Sequence, residues 1–97
     1  MFNVRFTKEA EKQLLSLKNT KSKQGQFKAV GKVIGYMQIN LRHPSLNTHK
    51  FDQLKSPFGG YVFESYAQNR TPGAYRIFWV YGPNKSEITI LAITSHP

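Results

Sequence analysis

Apolar and polar residues alternate over the first seven positions. In "MFNVRFT", Phe2, Val4 and Phe6 stand against Asn3 and Arg5, a period of two that predicts a half-buried strand. The period then lengthens. In "KEAEKQLLSLKN", Ala10, Leu14 and Leu17 recur at helical spacing behind Thr7, a candidate N-cap. Glu9 and Glu11 fall in the first turn and Lys18 in the last, the charge order that the helix dipole favours. "NTKSKQGQ" reads as a polar turn. In "FKAVGKVIGYMQINLR", Phe27, Val30, Ile34, Met37 and Leu41 form one stripe with Val33 beside it. This predicts a second helix of about four turns, which Pro44 ends at His43. Gly31 and Gly35 lower its propensity but would let it pack closely. Two helices joined by a short polar turn predict an antiparallel hairpin.

The pattern changes again after residue 43. "HPSLNTHKFDQLKSPFGG" has no clear period and is expected to be a long loop, tucked onto the core by Leu46, Phe51, Leu54 and Phe58. Loops of that length are uncommon and often functional. "YVFESYA", "YRIFWVY" and "EITILAITS" are rich in β-branched and aromatic residues and read as strands. "QNRTPG" and "GPNKS" are turn sequences between them. The middle strand has large apolar groups on both faces, Ile77 and Trp79 on one and Phe78 and Val80 on the other, and is expected at the centre of the sheet. The expected fold is α+β in the order β-α-α-β-β-β. Its antiparallel-dominated sheet carries the helical hairpin on one face, so polar residues of the other face are candidates for function.

Composition narrows the class. The 97 residues predict a single domain over 1–97. At 39% hydrophobic and 13% aromatic the chain can bury a core. There is no cysteine, which excludes disulfides and thiolate metal sites. The N-terminus meets charges at once and lacks a signal-peptide apolar region. No apolar run approaches the ~20 residues of a membrane span, so the expected location is cytoplasmic. Fourteen Lys and Arg oppose five Asp and Glu, for a formal charge of +9. That charge favours polyanions, of which nucleic acid is the commonest, or an acidic protein partner.

Hairpin arithmetic brings particular residues together. In an antiparallel pair, opposed residue numbers have a constant sum and share a face. Centring the first turn near residue 71 sets Tyr66 opposite Arg76 and Glu64 opposite Phe78. Centring the second near residue 84 sets Arg76 opposite Ala92. His96 then lies on the same face, ~13 Å further along at ~3.3 Å per residue. A one-residue slip in either turn would move a member to the other face.

Such a cluster suits cleavage of an RNA phosphodiester. A base takes the proton of a 2′-hydroxyl, which attacks the adjacent phosphate. An acid protonates the departing 5′ oxygen, and a fixed cation stabilises the charge that builds on phosphorus. Histidine exchanges protons near neutral pH; arginine offers a forked, permanently charged donor set. Arg76, His96 and Glu64 are the catalytic candidates. Tyr66, Arg70, Lys55, Lys50 and His49 are the candidates for holding RNA, Tyr66 by stacking on a base or by donating a hydrogen bond to phosphate. Each has a structural alternative: Arg76 as an ion pair with Glu64, Tyr66 as a packing residue, His96 as a frayed end. His43 and His49 have only Asp52 nearby, so no metal site is expected. Nucleotide-loop, zinc-protease and serine-hydrolase motifs do not occur.

The element order, the "HP…KF..LK…G" loop, "YVFESYAQNR", the arginine of "AYRIFWVY" and the closing "ITILAITSH" resemble the RelE/ParE superfamily of type II toxins over nearly the whole chain. The resemblance implies a small basic toxin neutralised by a cognate antitoxin with an acidic or amphipathic segment. Its RelE-like branch implies a metal-independent, cofactor-free endoribonuclease that cuts mRNA on the ribosome. In that branch Arg76 matches the phosphate-binding arginine, and His96 matches a C-terminal histidine used as acid or base. The ParE-like branch implies a DNA gyrase inhibitor without chemistry. A third possibility is an inactive RNA-binding relative. The founding RelE type has a lysine pair where "VFES" has Glu64, and it has a basic C-terminal helix that this sequence lacks. Glu64, Lys55 and His49 are therefore all candidates for the general base.

Overall fold

The most apolar stretch of the chain becomes the centre of its sheet. The computed structural model describes residues 1–68 and 72–96. The elements run β1 (Asn3–Phe6), α1 (Lys8–Asn19), α2 (Gln24–Ile39), β2 (His49–Lys50), β3 (Phe63–Tyr66), β4 (Tyr75–Tyr81) and β5 (Glu87–Ser95), with 3-10 turns at Lys21–Lys23 and Pro44–Leu46. The sheet order is β1-β5-β4-β3-β2, which places β4 in the middle. β1 pairs parallel with β5, and the remaining pairs are antiparallel. This is the α+β arrangement expected from the sequence, with β2 added.

Both helices lie on one sheet face. Thr7 caps α1 through its side-chain oxygen, which accepts from the Ala10 N–H at 3.1 Å. Ala10 and Leu17 of α1 and Val30, Val33 and Met37 of α2 join Ile77, Trp79, Ile88, Ile90 and Ile93 in the main core. Each large buried aliphatic contributes about 1.5–3 kcal/mol. Beneath this core Trp79 donates to Ser65 Oγ at 2.8 Å, and Ser65 Oγ meets Thr48 Oγ1 at 2.6 Å. The indole N–H is thus satisfied where water does not reach.

The second face has a smaller cluster of Val62, Phe78 and Val80. The segment after β2 covers it: Phe51 packs on Phe78 with ring centroids 4.7 Å apart. The apolar part of this face is roofed, and the polar part beside it stays open.

Four expectations change. α2 ends at Ile39, four residues before His43, because the Asn40 side chain accepts from the Arg42 N–H at 3.0 Å and turns the chain. Leu41 is still buried, but from the turn. The 43–60 segment, expected to be irregular, contains β2. Its Leu46 is buried and its Phe51 packs on the second cluster, whereas Leu54 and Phe58 are 42% and 47% exposed. Gly31 and Gly35 approach nothing, since a Cβ on either would have no neighbour within 4 Å. Among the described residues no helix is long and apolar enough to cross a membrane.

The β5 register departs most instructively. The first hairpin is as expected, with Tyr66 opposite Arg76 and Glu64 opposite Phe78. In the second, Arg76 faces Thr94, not Ala92, and Ala92 faces Phe78. Two single-residue effects add. The pairing nearest the turn, Tyr81 with Ile88, is offset by one from the sequence arithmetic. A bulge between Phe78 and Trp79 then skips Leu91, so that Ile90 and Ala92 follow each other in the pairing. One shift alone would flip the end of β5; two restore the expected face.

Past β1, the outer edge of β5 is held by α1 and its cap. Thr7 Oγ1 donates to the Leu91 carbonyl at 2.9 Å, and Gln13 Oε1 accepts from the Ile93 N–H at 2.6 Å. The His96 N–H donates to the Ala74 carbonyl at 2.8 Å. The chain is therefore ordered by pairing up to His96.

Candidate functional site on the open sheet face

Four strands deliver polar residues to the face that the helices leave uncovered. β4 places Arg76 next to the apolar cluster, its guanidinium carbon 4.9 Å from the Phe78 ring centroid and 6.0 Å from that of Phe51. β3 places Tyr66 directly opposite Arg76, and Glu64 two residues away on the same face. β2 places His49 opposite Glu64. β5 places Thr94 opposite Arg76, and His96 follows on the same face by alternation.

Glu64 is the hub. Its side chain is 3% exposed. One carboxylate oxygen accepts from Arg76 Nη1 at 2.7 Å, and the other meets His49 Nε2 at 2.5 Å. A buried carboxylate needs such partners, because desolvating it alone costs several kcal/mol. His49 Nδ1 lies 3.1 Å from the Asn47 carbonyl oxygen. Both ring nitrogens of His49 thus face oxygen atoms. The His49 ring also meets the Tyr66 ring edge-on, with centroids 5.6 Å apart.

Arg76 is held but not saturated. Its side chain is 18% exposed. Among the described residues its buried Nε has no hydrogen-bond partner. His96 is diagonal to Arg76 across β4 and β5. Two residues at ~3.3 Å separate it along the strand from Thr94, about half the gap expected from the sequence. Diagonal neighbours of this kind lie about 7–8 Å apart, within reach of long side chains.

The expected residues divide into two sets. Arg76, Glu64, Tyr66 and His49 come together, and His96 joins them by register. Lys50 does not. It pairs with Phe63, on the helix side of the sheet, and its ammonium sits 3.8 Å over the Tyr61 ring. Lys55 lies in the loop after β2, lining a separate cleft of about 350 Å³ with Phe51, Leu54 and Tyr61. Arg70 lies outside the described residues. The His49–Glu64 pairing was missed because "NTHKF" is too short to show a period. The only signal was its alternation, Thr48 and Lys50 against His49 and Phe51, which the structure realises.

No family model matches the sequence, and no curated protein matches it. Solved structures do share its fold. The YoeB/ParE toxin from Agrobacterium tumefaciens aligns with a TM-score of 0.70 at 9% identity, over 100% of each chain. The YoeB-YefM complex from Staphylococcus aureus contains a chain that aligns at 0.68 and 15% identity, over 100% of this chain and 99% of that one. A heterotetrameric YoeB-YefM toxin-antitoxin complex from the same organism gives 0.67 and 15%, over 100% and 99%. The fold is that of the YoeB/ParE toxins.

Proposed function

We propose that the chain is the toxin of a type II toxin-antitoxin pair, and that it is an endoribonuclease cutting mRNA on the ribosome in the cytoplasm. The observation that carries this reading is the Arg76 cluster. A fixed guanidinium, its side chain 18% exposed, stands on an open sheet face, flanked by one histidine on β2 and by a second at the end of β5. The charge of +9 supports a polyanionic substrate and an acidic antitoxin partner. The fold shared with a chain of a YoeB-YefM toxin-antitoxin complex supports the same assignment.

The roles follow from position. Arg76 binds the scissile phosphate and stabilises the charge that builds on its oxygens. Tyr66, opposite it, stacks on a flanking base. His96, at the end of β5, is one proton-transfer group; His49 is the other once its exposed Nδ1 leaves the Asn47 carbonyl, with Nε2 staying on Glu64. One takes the proton of the 2′-hydroxyl as O2′ bonds to phosphorus. The other gives a proton to O5′ as the P–O5′ bond breaks, leaving a 2′,3′-cyclic phosphate and a 5′-hydroxyl. Glu64 is too buried to reach substrate and has both oxygens occupied. It acts as the positioning residue that orients His49 and Arg76.

The test is induction of the chain in cells without a partner, with primer extension on a reporter mRNA. The expected result is growth arrest with cleavage that falls about 10²–10⁴-fold in His96→Ala and is lost in Arg76→Ala. Full cleavage in both variants would overturn the site. Arrest with intact mRNA and a DNA-damage response would favour gyrase inhibition, and harmless induction would favour an inactive RNA binder.

A further inference from the structure

The face opposite Arg76 carries a second feature. Beyond the end of α2, the turn through residues 41–48 and the ends of β3 and β4 enclose a cleft of about 390 Å³. Its floor is aromatic. Phe63 stacks on Trp79 with centroids 4.9 Å apart, and Tyr81 meets both rings edge-on at 5.6 and 5.1 Å. The Thr48–Ser65–Trp79 hydrogen bonds hold that floor in place. The His43 ring, stacked on Tyr36 with centroids 4.4 Å apart, forms part of the wall. Arg42 stands at the rim, and none of the lining residues is Asp or Glu.

Exposed apolar side chains gather at the same end of the sheet. Tyr81 is 50% exposed and lies 6.1 Å from the Phe2 ring. Phe2 donates its N–H to the Gln38 carbonyl, which brings Met1 and Ile39 alongside, 93% and 74% exposed. Phe58 packs over Gly82, just past Tyr81. Exposed apolar side chains beside a preformed cleft mark a protein contact more often than a solvent face.

We propose that this cleft docks an acidic segment of a partner protein that inserts an aromatic or aliphatic anchor onto the Phe63–Trp79–Tyr81 floor. Charge decides the occupant. A second copy of the chain would bring another +9 against Arg42 at the rim, whereas carboxylates flanking an apolar anchor would pair with it. RNA would find cations here but few open ring faces, since Phe63 and Trp79 cover each other. The proposal gives a surface to the acidic partner of the preceding reading. Its test reads binding alone, so it can fail while RNA cleavage stands, and the reverse.

A random peptide display library selected on the purified chain supplies the probe. The expected winners carry Asp and Glu around an aromatic or aliphatic residue. Their amide-shift map falls on Thr48, Phe63 and Tyr81, not on Arg76. Arg42→Glu, at an exposed position, lowers their affinity about tenfold or more while the thermal midpoint stays unchanged; Tyr81→Ser lowers it as much, with a lower midpoint from the lost ring contacts. Basic or anchorless winners, an absence of winners, or a map on the Arg76 face would overturn the proposal. So would self-association lost in Tyr81→Ser, or RNA oligonucleotide binding lost in Arg42→Glu.

Discussion

Glu64 and Arg76 are joined side by side on the open face by a 2.7 Å bond, with the carboxylate almost wholly buried and the guanidinium mostly so. The pair is completed by His49 on the other carboxylate oxygen. Removing the shared carboxylate leaves the Arg76 guanidinium and His49 Nε2 without their partner. Glu64→Ala is expected to cost about 3–5 kcal/mol. Glu64→Gln, which keeps the shape and one acceptor oxygen, is expected to cost less. Urea unfolding at neutral pH measures both. A loss within the ~0.5 kcal/mol of an ordinary surface substitution would refute the role of Glu64 as hub.

Gln13 reaches from α1 to β5 and accepts from the Ile93 N–H at 2.6 Å. β1 pairs with β5 only as far as Ile90, so this bond closes an edge that would otherwise be open. Gln13→Ala is expected to lose about 1 kcal/mol and to raise amide exchange at Ile93 above that at Ile88. Unchanged protection at Ile93 would mean that another group replaces the glutamine. The same variant should loosen the strand end that carries His96, and with it any activity that depends on that residue.

Gly31 and Gly35 sit inside α2 with no atom near the position of a Cβ. Alanine there gains helix propensity without collision, about 0.8–1.0 kcal/mol at each site. The double variant Gly31→Ala, Gly35→Ala is expected to raise the thermal midpoint by roughly 4–8 °C per kcal/mol gained. Calorimetry checks it, and a lowered midpoint would show that the glycines serve a contact inside the folded chain after all.

Periodicity placed β1, α1 and the three long strands, because each has a dominant spacing and a recognisable end. Thr7 was legible as a cap, since the capping chemistry is local. The end of α2 was not. Pro44 drew attention, while the side chain that turns the chain was Asn40, four residues earlier, acting through one short-range bond. The two-residue β2 was illegible as a strand because its existence depends on β3 being there to pair with it.

For the site, the residue types were in the sequence and their meeting was not. Arg76, Tyr66 and Glu64 follow from one hairpin, whose register is correctly given by the position of its turn sequence. His96 required a register that a turn offset and a bulge at Leu91 each changed by one residue. Local pattern does not reveal a bulge, because alternation looks intact until the neighbouring strand is laid beside it. His49 and Glu64 lie on opposite sides of a loop without a period, and only the folded sheet closes that distance. Composition and periodicity by themselves determined a basic α+β chain with one face of its sheet uncovered. Tertiary pairing decided that a buried glutamate would hold an arginine and a histidine on that face, because a carboxylate shielded from water is stable only where opposite charges converge on it.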